Sequence, residues 1–95
     1  MKAQNKLYEA ISQIKTPTEA KNFLRDLLTP AEISEFKTRF EIATLLWTTN
    51  LSYTEIAKKI KTSTTTVTRV ARFLYKEKHQ GYALILRRLH GDSKR

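Results

Sequence analysis

The sequence predicts an all-α fold, and three observations support that prediction. The 95-residue chain contains only 2 glycines and 2 prolines, so few positions favour the tight turns that join strands. Apolar residues recur at spacings of three and four, the period of a helix that buries one face. Three segments, which begin at Thr16, Thr29 and Ser52, have a glutamate three residues after a hydroxyl side chain. This is the capping box that begins a helix.

The first three predicted helices occupy the first half of the chain. Residues 2–14 form the first. The second begins at the capping box of Thr16 and is expected to bury Ala20, Phe23, Leu24, Leu27 and Leu28. The third, about residues 30–49, begins at the capping box of Thr29. It has Ile33, Phe36, Phe40, Ala43, Leu46 and Trp47 at helical spacings.

Three shorter helices are predicted in the second half. One begins after Ser52 and ends at about Ile60, and the next starts at Thr62 or Ser63 and continues through Leu74. The last helix places Tyr82, Ile85, Leu86 and Leu89 on its apolar stripe. Residues 91–95 are expected to form a frayed tail. No linker is long enough to separate domains, so residues 1–95 are interpreted as one domain.

The positive charge of the chain lies mostly in its second half. Lys and Arg number 18 against 9 Asp and Glu, a formal net charge of +9. Residues 1–50 contribute only +1 and residues 51–95 contribute +8. This asymmetry indicates a scaffold followed by a part that faces a polyanion, although a basic surface that only aids solubility has the same composition.

Several classes of protein are excluded by what the sequence lacks. Without cysteine it has no disulfide or thiolate metal site, and His79 and His90 stand eleven residues apart with no such partner. No nucleophile motif, paired carboxylates or phosphate-binding loop indicates an enzyme, and no cofactor or metal is predicted. The chain has no apolar run long enough for a membrane and no signal-peptide core, so a cytoplasmic protein is expected. Its shortness favours a homodimer.

Residues 52–75 have the dimensions of a helix-turn-helix. Two short helices that cross steeply would meet at Ile56, Ile60, Val67 and Val70, and Ala57 would stand at their closest approach. Lys61 stands where such turns usually have a left-handed glycine, at a cost of about 1 kcal/mol. A plain helical hairpin with the same apolar core is the alternative.

A helix-turn-helix would place the N-terminal end of its second helix in the major groove of double-stranded DNA. Solvent-facing threonines there could bond to bases, and the basic side chains around them could contact phosphates. Alternatively, the hydroxyl residues only favour the helix start. The candidate DNA-binding residues are Lys58, Lys59, Lys61, Ser63, Thr64, Thr65, Thr66, Thr68, Arg69 and Arg72.

The block from Leu27 to Leu74 also contains the pairs and runs Leu28-Thr29-Pro30-x-Glu32, Thr38-Arg39, Leu45-Leu46, Leu51-Ser52, Glu55-Ile56 and Thr66-Val67-Thr68-Arg69. In these residues the chain resembles the Trp repressor family. The resemblance implies an all-α dimer with intertwined N-terminal helices and DNA half-sites roughly 34 Å apart. Residues 63–72, with Gly81-Tyr82-Ala83, are most similar to the family's YerC/YecD branch of regulators.

The resemblance further implies a ligand site. In the family, tryptophan lies between two arginines and a loop threonine, at positions that Arg39, Arg69 and Thr29 occupy here. Where the family has small residues, this chain has Val70 and Phe73, which are expected to fill the space of an indole ring. We therefore expect DNA binding without tryptophan, and ion pairs of Arg39 and Arg69 at the dimer interface.

The sequence thus predicts a dimeric, sequence-specific transcriptional regulator, most simply a repressor. Two alternatives stay open. The same basic face could serve a low-specificity architectural or RNA-binding protein, which unrelated DNA would saturate as well as a chosen site. The helix pair could instead belong to a protein-interaction adaptor whose charge is incidental.

Overall fold

The computed structural model describes residues 5–95, which form six α-helices and no strand. In chain order, α1 to α6 are Lys6–Ser12, Pro17–Leu27, Pro30–Thr48, Tyr53–Ile60, Thr64–Tyr75 and Gly81–His90. The predicted all-α fold is confirmed. Residues 2–4 of the first predicted helix lie outside the described residues. The chain divides into two compact units, one that ends at Ser34 and one that comprises Glu35–Arg95.

The capping box at the start of α3 forms as predicted. Thr29 Oγ1 accepts a hydrogen bond from Glu32 N at 3.2 Å, and Glu32 Oε1 accepts one from Thr29 N at 2.9 Å. The bond from the Thr29 backbone N–H is the main cause that lowers the pKa of the Glu32 carboxyl, and the Thr29 hydroxyl nearby lowers it further. These bonds satisfy backbone donors that have no partner within the helix.

The box at the start of α2 forms only in part. Thr16 Oγ1 accepts a hydrogen bond from Glu19 N at 3.1 Å, as predicted. The Glu19 carboxylate, however, accepts its bond from Lys15 N at 3.0 Å, one residue before the cap. Helix α2 therefore begins where predicted, but the Glu19 carboxylate bonds to the backbone of Lys15, the residue before the cap, and not to the backbone of Thr16.

The prediction that α2 buries five apolar residues is wrong. None of the residues of α1 or α2 is buried, and Leu27 is 47% exposed. The other four, Ala20, Phe23, Leu24 and Leu28, are half-buried. Their spacing does place them on one helical face, but a helical period shows where an apolar face lies and not what covers it.

The buried core lies in the unit Glu35–Arg95. Its side chains come from the C-terminal half of α3 and from α4, α5 and α6. They pack into one cluster, which positions the helix pair α4–α5 on the end of α3. The twelve buried residues are Ile42, Ala43, Leu46, Trp47, Ile56, Ala57, Val67, Val70, Ala71, Leu74, Ala83 and Leu86.

The predicted stripe of α3 is buried only in its second half. Ala43, Leu46 and Trp47 are in the core, but Phe36 and Phe40 are exposed. Ile33 is half-buried, and the sequence prediction omitted Ile42, which is fully buried. The reason is geometric: the cluster that α3 forms with α4–α6 contains α3 residues from Ile42 to Trp47, and Phe40 lies at its edge, with its ring centroid 6.5 Å from that of Tyr82.

The buried face of α6 also differs from the predicted apolar stripe. Leu86 is fully buried, as expected, and its neighbour one turn earlier is Ala83. Tyr82 is half-buried, whereas Ile85 and Leu89 are exposed. A small residue at Ala83 lets α6 approach the core, so the face centred on Ala83 and Leu86 points inward.

The predicted frayed tail is wrong, because residues 91–95 are hydrogen-bonded to the end of α3. Trp47 Nε1 donates to Gly91 O at 2.7 Å, and Lys94 N donates to Trp47 O at 2.9 Å. The Arg95 side chain donates to Leu46 O at 2.7 Å. The last carbonyls of a helix lack partners within it, and the tail supplies donors to two of them.

Residues 5–95 contain no helix that is long and apolar enough to cross a membrane. Within the same range, no group of three His, Asp or Glu side chains is placed to hold a metal ion. His79 and His90 are both exposed.

Candidate nucleic-acid interface

Helix α4 begins at a complete capping box. Ser52 Oγ accepts a hydrogen bond from Glu55 N at 3.1 Å, and Glu55 Oε1 accepts one from Ser52 N at 3.0 Å. The bond from the Ser52 backbone N–H is the main cause that lowers the pKa of the Glu55 carboxyl, and the Ser52 hydroxyl nearby lowers it further. The predicted start and the predicted end at Ile60 are both confirmed.

The turn between α4 and α5 has the predicted left-handed residue. Lys61 has φ 63° and ψ 51°. Lys61 N donates to Lys58 O at 3.3 Å and Thr62 N donates to Ala57 O at 2.9 Å, the two bonds of a Schellman motif. Thr62 therefore ends α4 through its backbone, and Ser63 alone caps α5.

The two helices pack through the residues that the sequence singled out. Ile56 and Val67 are fully buried, and Ala57 and Val70 are nearly so. Ile60 is half-buried and packs against the same cluster. Helices α4 and α5 with this turn form the predicted helix-turn-helix, so the plain-hairpin alternative is not needed.

The start of α5 presents two hydroxyl groups that the fold does not use. Thr64 and Thr65 are exposed, and among the described residues their hydroxyls make no hydrogen bond. Thr68 is exposed too, but its hydroxyl donates to Thr64 O at 2.9 Å. The side chains of Thr64 and Thr65 are thus free to bond to an external acceptor or donor.

Thr66 differs from its neighbours. Its backbone N donates to Ser63 Oγ at 3.1 Å, and its Oγ1 lies 2.9 Å from the same atom. Thr66 is half-buried and not solvent-facing as predicted. Ser63 and Thr66 together fix the first turn of α5, because each satisfies polar groups of the other.

Basic side chains surround this end of α5. Lys58, Lys59, Lys61 and Arg69 are exposed. Arg72 is exposed as well, but its Nε donates to Glu77 Oε1 at 3.1 Å. Sequence reasoning missed this acidic partner, which stands five residues away, beyond the end of α5. An anion that binds Arg72 must therefore compete with the Glu77 carboxylate.

A second feature is a cavity of about 380 Å³ beside the two arginines that the resemblance selected. The buried Val70 forms one wall of the cavity, and Phe73, which is 50% exposed, forms another. Both side chains thus border this space, at the positions where the sequence predicts bulky residues in place of small ones. The complete lining is Arg39, Thr66, Arg69, Val70, Phe73 and Tyr82.

The three candidate ligand-binding residues have different surroundings. Arg39 Nη2 lies 3.4 Å from Glu35 Oε2 in the same helix, and Arg69 makes no ion pair within residues 5–95. Burial raises the pKa of the nearby Tyr82 hydroxyl above its ordinary value. Thr29 belongs to the unit that ends at Ser34, where its hydroxyl caps α3.

Comparison with known proteins places the whole chain in one family. A family model described as Trp repressor protein matches residues 2–90. The fold is similar to a "putative Trp repressor" from Staphylococcus aureus, with 28% identity, a TM-score of 0.83, and coverage of 96% of this chain and 89% of that one. It is also similar to a TrpR-like protein from Eubacterium eligens, with 35% identity, a TM-score of 0.80, and coverage of 94% and 90%. No curated protein matches at a significant level. The chain belongs to the Trp repressor family, which comprises helix-turn-helix DNA-binding regulators and not enzymes.

Proposed function

We propose that the protein is a dimeric, sequence-specific repressor of the YerC/YecD branch, which acts in the cytoplasm as a single domain over residues 1–95. It reads double-stranded DNA with the N-terminal end of α5. The observation that supports this most directly is the pair of exposed, unbonded hydroxyls of Thr64 and Thr65 on the first turn of a helix whose opposite face is buried. A side chain that the fold does not use is available to a base edge.

The basic residues supply the part of the affinity that does not depend on sequence. Lys58, Lys59 and Lys61, at the end of α4 and in the turn, together with Ser63 at the α5 cap, lie where a backbone phosphate would pass the motif. Arg69 and Arg72 lie farther along α5, beside Thr68 and the half-buried Thr66. Binding should weaken steeply with salt as phosphate contacts release counterions.

Dimerisation is supported by the apolar side chains that the single chain leaves uncovered. In α1, Leu7, Tyr8 and Ile11 are exposed, and no residue of α1 or α2 is buried. A helix whose apolar face stays in water gains little from folding, so these helices need a further contact. A second copy of the chain would provide it and would present two reading helices to one palindromic site.

We further propose that DNA binding does not require L-tryptophan. Val70 and Phe73 make the cavity beside Arg39 and Arg69 more apolar than a site with small polar residues at these positions. The cavity itself, at about 380 Å³, favours a second candidate, a regulator whose affinity depends on a small anion. In that case Arg69, which has no acidic partner among residues 5–95, would bind the anion together with Arg39. Thr29 remains a candidate ligand residue from the family resemblance alone.

The experiment that tests the reading helix is the double substitution Thr64→Ala with Thr65→Ala. Affinity for a DNA site selected from random sequence should fall about tenfold or more, because each lost base contact costs about 1–3 kcal/mol. Affinity for unrelated DNA should change little. Thr18→Ala in α2 is the matched control, since Thr18 is exposed and lies outside the motif.

Measuring the binding of selected and of unrelated DNA also separates the sequence-specific repressor from the two alternatives. Unrelated DNA that competes as well as the selected site would favour the architectural alternative. Absence of any DNA binding, with a folded chain, would favour the adaptor. Addition of L-tryptophan should leave the affinity unchanged, and an increase of tenfold would show instead that DNA binding depends on tryptophan.

A further inference from the structure

The segment after α6 is anchored at two polar groups of Trp47, its indole N–H and its backbone carbonyl. Gly91, with φ 79°, turns the chain after His90, and its carbonyl accepts the indole hydrogen bond at 2.7 Å. Three residues later, Lys94 N donates to Trp47 O at 2.9 Å. Trp47 is 4% exposed and is the single tryptophan of the chain. The segment 91–95 therefore lies across the end of α3 in a defined position.

The guanidinium of Arg95 joins two parts of the backbone. Its Nε donates to Leu46 O, in the last turn of α3, at 2.7 Å, and its Nη2 donates to Leu51 O. Leu51 directly precedes Ser52, the cap of α4. A planar guanidinium can donate in two fixed directions at once, which an ammonium group on a flexible stem does not reproduce.

The two carbonyls bracket the connector that leads into the helix-turn-helix. Helix α3 ends at Thr48 and α4 begins at Tyr53, so residues 49–52 set the direction in which α4 leaves α3. The last residue of α5 contacts the same place, because Tyr75 Oη donates to Leu46 O at 3.3 Å. The ends of α3 and α5 and the start of α4 are thus joined at one small cluster of backbone carbonyls.

We propose that Arg95 is a positioning residue for DNA binding, which fixes the helix-turn-helix at its angle to α3. This inference rests on the proposed function, since it assigns no DNA contact to Arg95. In a dimer, the angle between α3 and the motif determines the separation of the two reading helices. Arg95 therefore sets which spacing of half-sites the protein accepts.

The test compares Arg95→Ala with Lys94→Ala in the full chain. Both substitutions remove one positive charge from neighbouring exposed residues, but the Lys94 side chain makes no hydrogen bond or ion pair within residues 5–95, and its backbone bond survives. Arg95→Ala should lower affinity for the selected site about fivefold, a fraction of what a charge-assisted hydrogen bond is worth. Lys94→Ala should change this affinity by less than twofold, apart from the effect of losing one positive charge.

Two readouts distinguish positioning from a general loss of stability. Sites whose half-sites are moved apart or together by one base pair should bind the native chain poorly, and Arg95→Ala should discriminate less between them. Acrylamide should quench Trp47 fluorescence more in Arg95→Ala than in Lys94→Ala, because the segment that covers the indole is released. Arg95→Lys should resemble Arg95→Ala in both readouts.

Three results would contradict this role of Arg95 or the function on which it rests. Equal affinity and equal spacing preference in the two alanine variants would overturn the inference while the proposed function stands. Lost affinity with unchanged Trp47 quenching and a reduced salt dependence would overturn it too, since Arg95 would then contact phosphate directly. A native chain that selects no DNA would refute the proposed function and, with it, this role of Arg95.

Discussion

The Glu55 carboxylate couples the start of the helix-turn-helix to pH. The hydrogen bond that it accepts from Ser52 N is strongest when it is ionised, which is the main reason why its pKa lies below the ordinary value of 4.5. A carboxyl whose pKa is lowered by folding stabilises the native state above its unfolded pKa, and this stabilisation is lost as the pH falls through the folded pKa. Glu32, at the start of α3, has the same shift and the same cause.

We therefore predict that Glu55→Gln lowers the free energy of unfolding at neutral pH. The difference from the native chain should shrink as the pH falls from 4.5 through the lowered pKa of Glu55, because the protonated carboxyl, like the amide, is uncharged. Urea unfolding at a series of pH values measures it. Glu41→Gln is the control, because Glu41 is exposed and makes no hydrogen bond within residues 5–95. A constant difference at every pH would contradict this role for the ionised carboxylate.

The turn between α4 and α5 allows a test of the backbone strain at Lys61. Lys61 adopts the left-handed conformation that glycine adopts without a Cβ penalty. Lys61→Gly should therefore be more stable than Lys61→Ala by about 1 kcal/mol, measured by urea unfolding. Both variants lose the charge, so their difference isolates the backbone strain.

The same pair of variants tests the role of Lys61 in DNA binding. If Lys61 contacts a phosphate, both should bind the selected site more weakly, and the slope of log K against log salt should fall by about one. Lys61→Gly would then gain stability and lose affinity together. Equal stability of the two variants would contradict the strain, and an unchanged salt slope would contradict the phosphate contact.

The helix-turn-helix is the element that could be predicted best from the sequence. Its cap at Ser52, its left-handed Lys61 and its contacts at Ile56 and Val67 all depend on side chains at fixed local spacings. Thr66 is the exception, because its hydroxyl bonds to Ser63 and a pattern of threonines does not show which hydroxyl folds back. Local chemistry fixes a helix start, but the competition between neighbouring hydroxyls depends on the three-dimensional arrangement.

Long-range features could not be predicted in the same way. The tail 91–95 donates to the backbone carbonyls of Leu46 and Trp47, which exist whatever the side chain, so the sequence contains no pattern for that contact. The cavity beside Arg39 and Arg69 depends on the direction in which Phe73 points from α5. Periodicity predicts the apolar face of α2, and only the structure shows that no residue of this face is fully buried.

At the scale of the molecule, the exposed apolar side chains predict that the protein is a dimer, which its mass in solution would show. We expect sedimentation equilibrium at micromolar concentration to give twice the chain mass of 11.1 kDa. Phe36→Glu in α3 should shift the equilibrium towards the monomer, because Phe36 is 47% exposed and a charge there opposes burial at an interface. Tyr53→Glu, at a similarly exposed aromatic residue of α4, should leave the mass unchanged. A monomeric native chain would contradict the dimer.

The central claim, that α5 reads a specific DNA sequence in a dimer, is tested most directly by in vitro selection from random double-stranded DNA. The native chain should enrich a palindromic consensus whose half-sites lie about one helical turn, roughly 34 Å, apart. The same consensus should emerge with and without L-tryptophan, and the Thr64→Ala, Thr65→Ala chain should fail to enrich it. Enrichment of no consensus by a folded native chain, or of the same consensus by the double variant, would contradict the account.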